Sequence, residues 1–426
     1  MPSQIPPQWM AYISLILYGL YLIGWHVFQR TKRVYRLFYR TSDIPLKQAR
    51  LGRILYRHKR DPEEISRRED FVTMDDGFIS KEVLKGPEWQ IYTLDKKGAV
   101  FVETPKPLSH YTIDKYPFVY LPIFEEGIRV AEIDLESYLS LGDQLEVDYK
   151  PPRCLFFTNT ARCASTLFGS MLQHDGHSTV IGEHYALTVL SIGLKDGYWT
   201  DNVSIYTGKV MDVERLLPTT IKLIRKCIPS NHLLVFKGSS AEVMLVPYLT
   251  RQFPEIKHVF MFRRKAIPSV ERVIARDPSQ YLLLQLYNFS PFLATQFGFI
   301  VANEGALQRQ LKPTHIKEFA MLVYGGSYMI YKQNKDSYDF PIVWHDQLIA
   351  TPEKILAPIF AEIDIPESCI PDAVARMQRD SQDSTFLSRE KLQDIPITEM
   401  TPELKASLQR YAEKLQMEPD VVGLEA

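Results

Sequence analysis

The chain of 426 residues is 45% hydrophobic and 24% charged, an ordinary globular composition large enough for one big α/β domain with additions, and it holds no internal repeat or low-complexity tract. Its four cysteines, Cys154, Cys163, Cys227 and Cys369, lack any C-x-x-C pairing, which excludes a disulfide framework and a zinc ribbon and leaves the redox compartment open. The net charge of −1 conceals an asymmetry: Arg30 to Arg60 holds eleven Lys or Arg against the single Asp43, so this stretch is +10 and the remainder −11.

Residues 9 to 28, WMAYISLILYGLYLIGWHVF, run for twenty positions without a charge, with Trp9 and Trp25 near the ends. That length crosses a bilayer core of ~30 Å, so residues 1–29 are expected to be a short tail and a single membrane-spanning helix. A cleaved signal peptide fits poorly, because the basic residues follow the apolar run and no small-residue cleavage site is evident. By the positive-inside rule the basic segment 30–60 faces the cytosol, against anionic lipid, and carries the body with it. Two sequons, Asn202-Val-Ser and Asn288-Phe-Ser, argue for a lumenal body instead, but triplets this short arise by chance and the charge bias outweighs them. No nucleic-acid partner is expected.

Residues 61–150 read as a small α+β region ending at Pro151-Pro152. QIYTL and AVFVE flank Asp95-Lys96-Lys97-Gly98 as a hairpin, and the apolar FVYLPIF precedes the helical period of LESYLSL. The region names no chemistry.

From 151 to 400 strand and helix alternate. CLFFT (154–158), STVIG (178–182), HLLVFK (232–237), HVFMF (258–262) and FPIVW (340–344) are separated by helix-length segments, which predicts α/β architecture: a parallel sheet flanked by helices. Ligands in such sheets sit beyond the carboxyl ends of the strands. Past the first strand lies Thr158-Asn159-Thr160-Ala161-Arg162-Cys163-Ala164-Ser165-Thr166, a turn of small residues opening a helix, which reads as an anion site. Past the second come Glu183 and His184, past the third Lys237, and past the fourth Arg263, Arg264 and Lys265. The ligand edge therefore collects cations around one carboxylate. A P-loop nucleotide kinase is disfavoured, since Ser165 stands where its lysine belongs and the later strands end in Lys237 and Arg263 rather than a metal-holding Asp. His174, His177 and His184 complete no recognisable metal spacing. Cys163, beside Arg162, is either a reactive thiol or, more simply, a packing residue.

These residues resemble the sulfotransferases that use 3'-phosphoadenosine-5'-phosphosulfate (PAPS) as donor on a P-loop-like fold, and in particular animal membrane-anchored sulfotransferase-like proteins. Arg162-Cys163-Ala164-Ser165-Thr166 matches the family's 5'-phosphosulfate loop, and HVFMFRRKAIPS resembles its 3'-phosphate strand. The resemblance covers roughly 153 to 400. Departures are visible: Ala164 replaces a frequent glycine, Ser269 follows Arg263 by six residues instead of eight, and Glu271 takes the eighth place. Lys237-Gly238-Ser239 lacks the histidine that soluble members use as base, and Gly182-Glu183-His184 stands where carbohydrate-type members carry a glutamate.

The resemblance implies a sulfotransferase acting on a hydroxyl or amine of a small molecule, glycan or lipid, without a metal. It implies that Arg162, Cys163, Ala164, Ser165 and Thr166 hold the 5'-phosphate, that Arg162 and Lys237 stabilise the departing phosphate oxygen, and that Glu183 or His184 is the base. Arg263 and Ser269 would grip the 3'-phosphate, and Arg389 would come from a loop that closes over the nucleotide. Golgi members have the opposite flank charge and a lumenal body, so a Golgi-lumenal body is the alternative orientation. A binding protein that keeps the nucleotide site without turnover is the alternative function. Residues 278–303, uncharged and aromatic, are expected as buried helices, part of which could line an apolar acceptor site. Residues 401–426 are expected to form a C-terminal helix and tail.

Overall fold

Gln8–Phe38 form one helix, α1, which runs through the apolar segment into the basic one. Ala11, Tyr18 and Trp25 are buried at intervals of seven residues, so one face of α1 is seated on the body. This computed structural model describes all residues except 1–7, 39–43, 46, 96, 146–149, 194–212, 227, 291–292, 295–296, 298–307, 309, 384 and 425–426. Asn202 of the first sequon and Cys227 lie outside the described residues.

An antiparallel sheet follows, of β1 (Gln48–Arg57), β2 (Phe71–Ser80), β3 (Trp89–Asp95), β4 (Gly98–Glu103) and β5 (Arg129–Ile133), in the order β2-β1-β5-β4-β3. β1 lies inside the basic segment, and its Arg50 is buried, so residues 30–60 are partly helix and partly sheet. The expected hairpin is β3–β4, closed at Asp95↔Gly98. Gly98 has φ +138, and a Cβ there would sit 1.8 Å from the Ile133 carbonyl oxygen, so glycine is required. The apolar stretch 118–124 becomes the short helix α2 (Tyr120–Glu125), and α3 (Leu135–Gln144) starts on Asp134, whose side chain accepts from the Ser137 amide at 2.8 Å.

The second half forms the expected parallel sheet: β6 (Arg153–Asn159), β7 (Ser178–Gly182), β8 (Leu233–Lys237), β9 (Lys257–Phe262) and β10 (Val343–Trp344), in the order β10-β9-β6-β8-β7. Its helices include α4 (Ser165–Met171), α5 (Tyr185–Gly193), α6 (Val213–Arg225), α7 (Val246–Gln252), α8 (Ile267–Arg276) and α9 (Pro278–Phe289). β7 and β8 are buried at every residue, as strands covered on both faces must be. The run FPIVW shrinks to two paired residues, because Pro341 has no amide hydrogen to offer a ladder.

One apolar core joins the two sheets. Phe101 and Tyr138 share it with Leu217, Phe156 and Leu234, and the Tyr138 hydroxyl lies 2.6 Å from Thr220 Oγ1. The N-terminal sheet is thus part of the body. At the far end, the C-terminal helix Pro402–Lys414 packs with Ile316–Gln333 in a second core.

Candidate functional site

β6 has β8 on one side and β9 on the other, so the chain order reverses at its carboxyl end. That reversal opens a crevice in any parallel sheet. A cleft of about 790 Å³ lies there, and its walls include Arg162, Ala164, Ser165, Thr166, Glu183, Lys237, Arg263, Ser269 and Arg389.

The turn after β6 is bent by two residues with left-handed backbone, Arg162 (φ +60) and Ala164 (φ +69, ψ +31). Position 164 therefore has the conformation that suits glycine, held here by alanine at a cost in strain. The Arg162 guanidinium donates to Gln382 Oε1 at 2.7 Å, and Gln382 Nε2 donates to Thr166 Oγ1 at 3.2 Å. Burial pushes the Arg162 guanidinium down from its ordinary value; Glu63 opposes this and Arg263 adds to it. A half-buried guanidinium with a neutral amide partner is a ready anion donor. Cys163 is different: it is fully buried, its thiol is pushed up to about 11 by that burial, and it packs against Phe157 and Phe168 in the core. The reactive reading of this cysteine is corrected accordingly, and only its backbone can serve the turn.

β7 and β8 pair with Gly182 opposite Lys237, which brings Glu183 beside the lysine. The Glu183 amide donates to the Lys237 carbonyl at 2.7 Å, and the Lys237 ammonium is ion-paired with Glu183 Oε1. The lysine side chain is 1% exposed and the glutamate 16%. A Cβ on Gly182 would come within 2.2 Å of the Pro117 carbonyl oxygen, so glycine there admits the segment that places Phe118 5.7 Å from the ammonium. Glu183 itself has φ +50, a third strained residue at this edge. His184 is turned into the core, with both ring nitrogens unpartnered among the described residues; burial pushes it down to about 4. Of the two candidate bases, Glu183 alone faces the cleft.

Of the three basic residues after β9, only Arg263 lines the cleft. Arg264 faces away, ion-paired with Asp346 at 2.6 Å and stacked 3.7 Å from the Trp344 ring, while the Lys265 amide donates to the Val421 carbonyl. Ser269 faces the cleft from α8. Glu271, two residues on and so across the helix, is buried in an ion pair with Lys317 and accepts from the Thr398 amide at 2.8 Å. Glu271 is therefore a structural clamp. Arg389 lines the cleft from the start of the short helix Arg389–Leu392, where its amide donates to Asp380 Oδ2 at 2.8 Å.

Three contributors have no sequence signal. Gln382 bridges Arg162 and Thr166. Glu63, from the region that named no chemistry, lines the cleft 3.3 Å from Arg276; burial pushes its carboxyl up to about 7, with Asp61 and Glu183 adding and Arg276 and Arg162 opposing. Tyr120 and Tyr185 stack at 3.8 Å between centroids and, with Ile65, Ile274 and Leu284, give the cleft an apolar part of its lining. Leu284 belongs to α9, where Ser279, Leu283, Leu284 and Tyr287 are buried and Phe289 is exposed, so this helix is partly buried and partly lines the cleft; of the rest of the uncharged stretch, 291–292, 295–296 and 298–303 lie outside the described residues. The Asn288 sequon lies at the end of α9, where the amide donates to the Pro313 carbonyl at 2.6 Å and accepts from Gln308.

No family model and no curated protein matches this chain. Among solved structures it is similar to sulfotransferase STF9 from Mycobacterium avium (14% identity, 67% of this chain and 82% of that one, TM-score 0.36). It is also similar to the sulfotransferase domain from the curacin biosynthetic pathway (14% identity, 63% and 98%, TM-score 0.33) and to a sulfotransferase from Alicyclobacillus acidocaldarius (10% identity, 63% and 96%, TM-score 0.28). Likenesses this distant leave the function to be argued from the cleft itself.

Proposed function

We propose that the chain is a membrane-attached sulfotransferase that moves a sulfuryl group from PAPS to a hydroxyl or amine acceptor. The observation that carries the reading is the convergence of Arg162, Lys237 and Arg263 on one cleft beside Glu183. Arginine, lysine, serine and threonine are donors suited to a nucleotide with a phosphate at each end.

PAPS, when bound, supplies an activated sulfuryl group on its 5'-phosphate. Ser165, Thr166 and the Arg162 guanidinium hold that end, and Arg263 with Ser269 holds the 3' end. Lys237 has three donors, so one ammonium can keep Glu183 in place while stabilising charge on the leaving oxygen. Glu183 would take the acceptor proton as a new S–O bond (hydroxyl acceptor) or S–N bond (amine acceptor) forms and the S–O bond to the 5'-phosphate breaks, the electron pair of the broken bond passing to the phosphate oxygen. The Tyr120–Tyr185 stack receives the apolar part of the acceptor. Membrane attachment comes through α1, the single described helix long and apolar enough to cross a bilayer.

The second reading, a nucleotide-binding protein without turnover, draws on the same geometry, since Lys237 is held by Glu183 and Arg162 by Gln382. A thermal-shift titration with adenosine 3',5'-bisphosphate, with and without magnesium, tests both. Stabilisation independent of the metal supports a sulfotransferase-type site, and labelled sulfate transfer to a panel of hydroxyl and amine acceptors separates enzyme from binder. A requirement for magnesium would return the cleft to the kinases.

A further inference from the structure

The apolar helix is built into the body along most of its length. Tyr21 donates its hydroxyl to the Glu69 carbonyl at 2.6 Å, Trp25 Nε1 donates to the Phe71 carbonyl at 2.9 Å, and Lys32 Nζ donates to the Thr73 carbonyl at 2.7 Å. Arg36 and Lys32 then both engage the Asp75 carboxylate. The partners are residue 69, in the turn that leads into β2, and residues 71, 73 and 75, every second position along β2, which is the edge strand of its sheet. Helix and strand stay in step: fifteen helical residues rise ~22 Å and six strand residues ~20 Å. α1 thereby covers a sheet edge that would otherwise expose unpaired carbonyls. Tyr18, ringed by His58 at 5.7 Å and the Arg67 guanidinium at 5.6 Å, extends the seat toward the N-terminus.

This docking is incompatible with a span. Hydrocarbon does not tolerate a sheet edge or the Asp75 ion pairs beside the helix. Even Gln8 to Leu17, ten residues or ~15 Å of helix, are seated on one face, with Ala11 buried and Leu15 packed against the second core, so no free stretch of α1 matches a bilayer core of ~30 Å. Yet the outward face is apolar throughout. Trp9, Ile13, Ile16, Leu20, Ile23 and Val27 follow one another at three- and four-residue steps, each exposed, on the side opposite Ala11, Tyr18 and Trp25. Exposed Arg30 and Arg33 flank the far end of that line.

We propose that α1 lies in the plane of one leaflet, its docked face on the edge of β2 and its outward line sunk into the acyl boundary, with the basic flank on anionic headgroups. An apolar stripe of this length with cations at its border is the pattern of an interfacial helix, which sinks ~5–10 Å into a leaflet. Both ends of the chain then lie on one side of the membrane, and no part of the body need be translocated.

Two measurements on the full-length chain test this. With an epitope tag at each terminus, the chain is translated with sealed microsomes and digested by protease. The in-plane arrangement predicts that both tags share one fate. Protection of one tag alone overturns it, because the chain then crosses the membrane. Flotation with roughly 3:1 phosphatidylcholine–phosphatidylserine vesicles is the second. The wild type should float, and Ile16→Glu/Leu20→Glu should float at least about tenfold less while keeping the wild-type melting temperature and its shift with adenosine 3',5'-bisphosphate. A wild type that stays in solution, or one that covers this face by dimerising and ignores the vesicles, overturns the proposal.

Discussion

The ammonium of Lys237, at the end of β8, is ion-paired with the carboxylate of Glu183, at the end of β7, inside the cleft. The pair joins the group meant to steady the leaving oxygen to the group meant to take the acceptor proton. Both residues of the pair therefore bear on turnover in the proposed mechanism, and nucleotide binding is carried by the other cations of the cleft.

Glu183→Gln keeps shape and a hydrogen-bond acceptor for Lys237 but cannot take a proton. Transfer should fall by about 10²–10⁴, the usual worth of a positioned base. The thermal shift with adenosine 3',5'-bisphosphate should persist. Turnover near the wild-type rate would move the base elsewhere.

Ala164 has a left-handed backbone that favours glycine. Ala164→Gly should stabilise the protein by about 1 kcal/mol, read as a higher denaturant midpoint at unchanged slope. A lower midpoint would mean that the turn gains more from the alanine methyl than it loses to strain.

Gln382 accepts from the Arg162 guanidinium and donates to Thr166 Oγ1, so it occupies the Arg162 donor. A phosphate must displace it. Gln382→Ala removes that competition, worth about 1 kcal/mol per hydrogen bond, so affinity for adenosine 3',5'-bisphosphate should rise about fivefold by calorimetry. Weaker binding would show that Gln382 holds the nucleotide instead of standing in for it.

The Glu63 carboxyl is pushed up to about 7 by burial, against 4.5 for the free side chain. The folded state therefore holds this proton more tightly than the unfolded chain does. Its contribution is stabilising below pH ~4.5 and is lost as pH rises to about 7. Glu63→Gln should flatten stability over this window in pH-dependent denaturant melts, and should strengthen nucleotide binding at pH 8 by removing a negative charge near Arg162. An unchanged pH profile would place the proton on another group.

The parallel sheet was legible in the sequence because strands covered on both faces read as unbroken apolar runs, such as LLVFK, with cations just past their ends. Arg162, Glu183, Lys237 and Arg263 were findable for that reason. Glu63, Tyr120 and Gln382 were not, since they reach the cleft from a different sheet and a distant loop, and no local spacing reports a convergence of that kind. The apolar segment gave the length and polarity of α1, while its seating on β2 depends on Trp25 and Lys32 meeting carbonyls more than forty residues away.

Arg263 and Arg264 are neighbours in sequence that face opposite ways, one into the cleft and one onto Asp346. Calorimetric titration of the wild type, Arg263→Ala and Arg264→Ala with adenosine 3',5'-bisphosphate in magnesium-free buffer tests the central claim most directly. The account predicts that the wild type and Arg264→Ala bind alike and that Arg263→Ala loses at least about tenfold in affinity, the value of one charge-assisted contact. Equal binding by all three, or no binding by the wild type until magnesium is added, would contradict it.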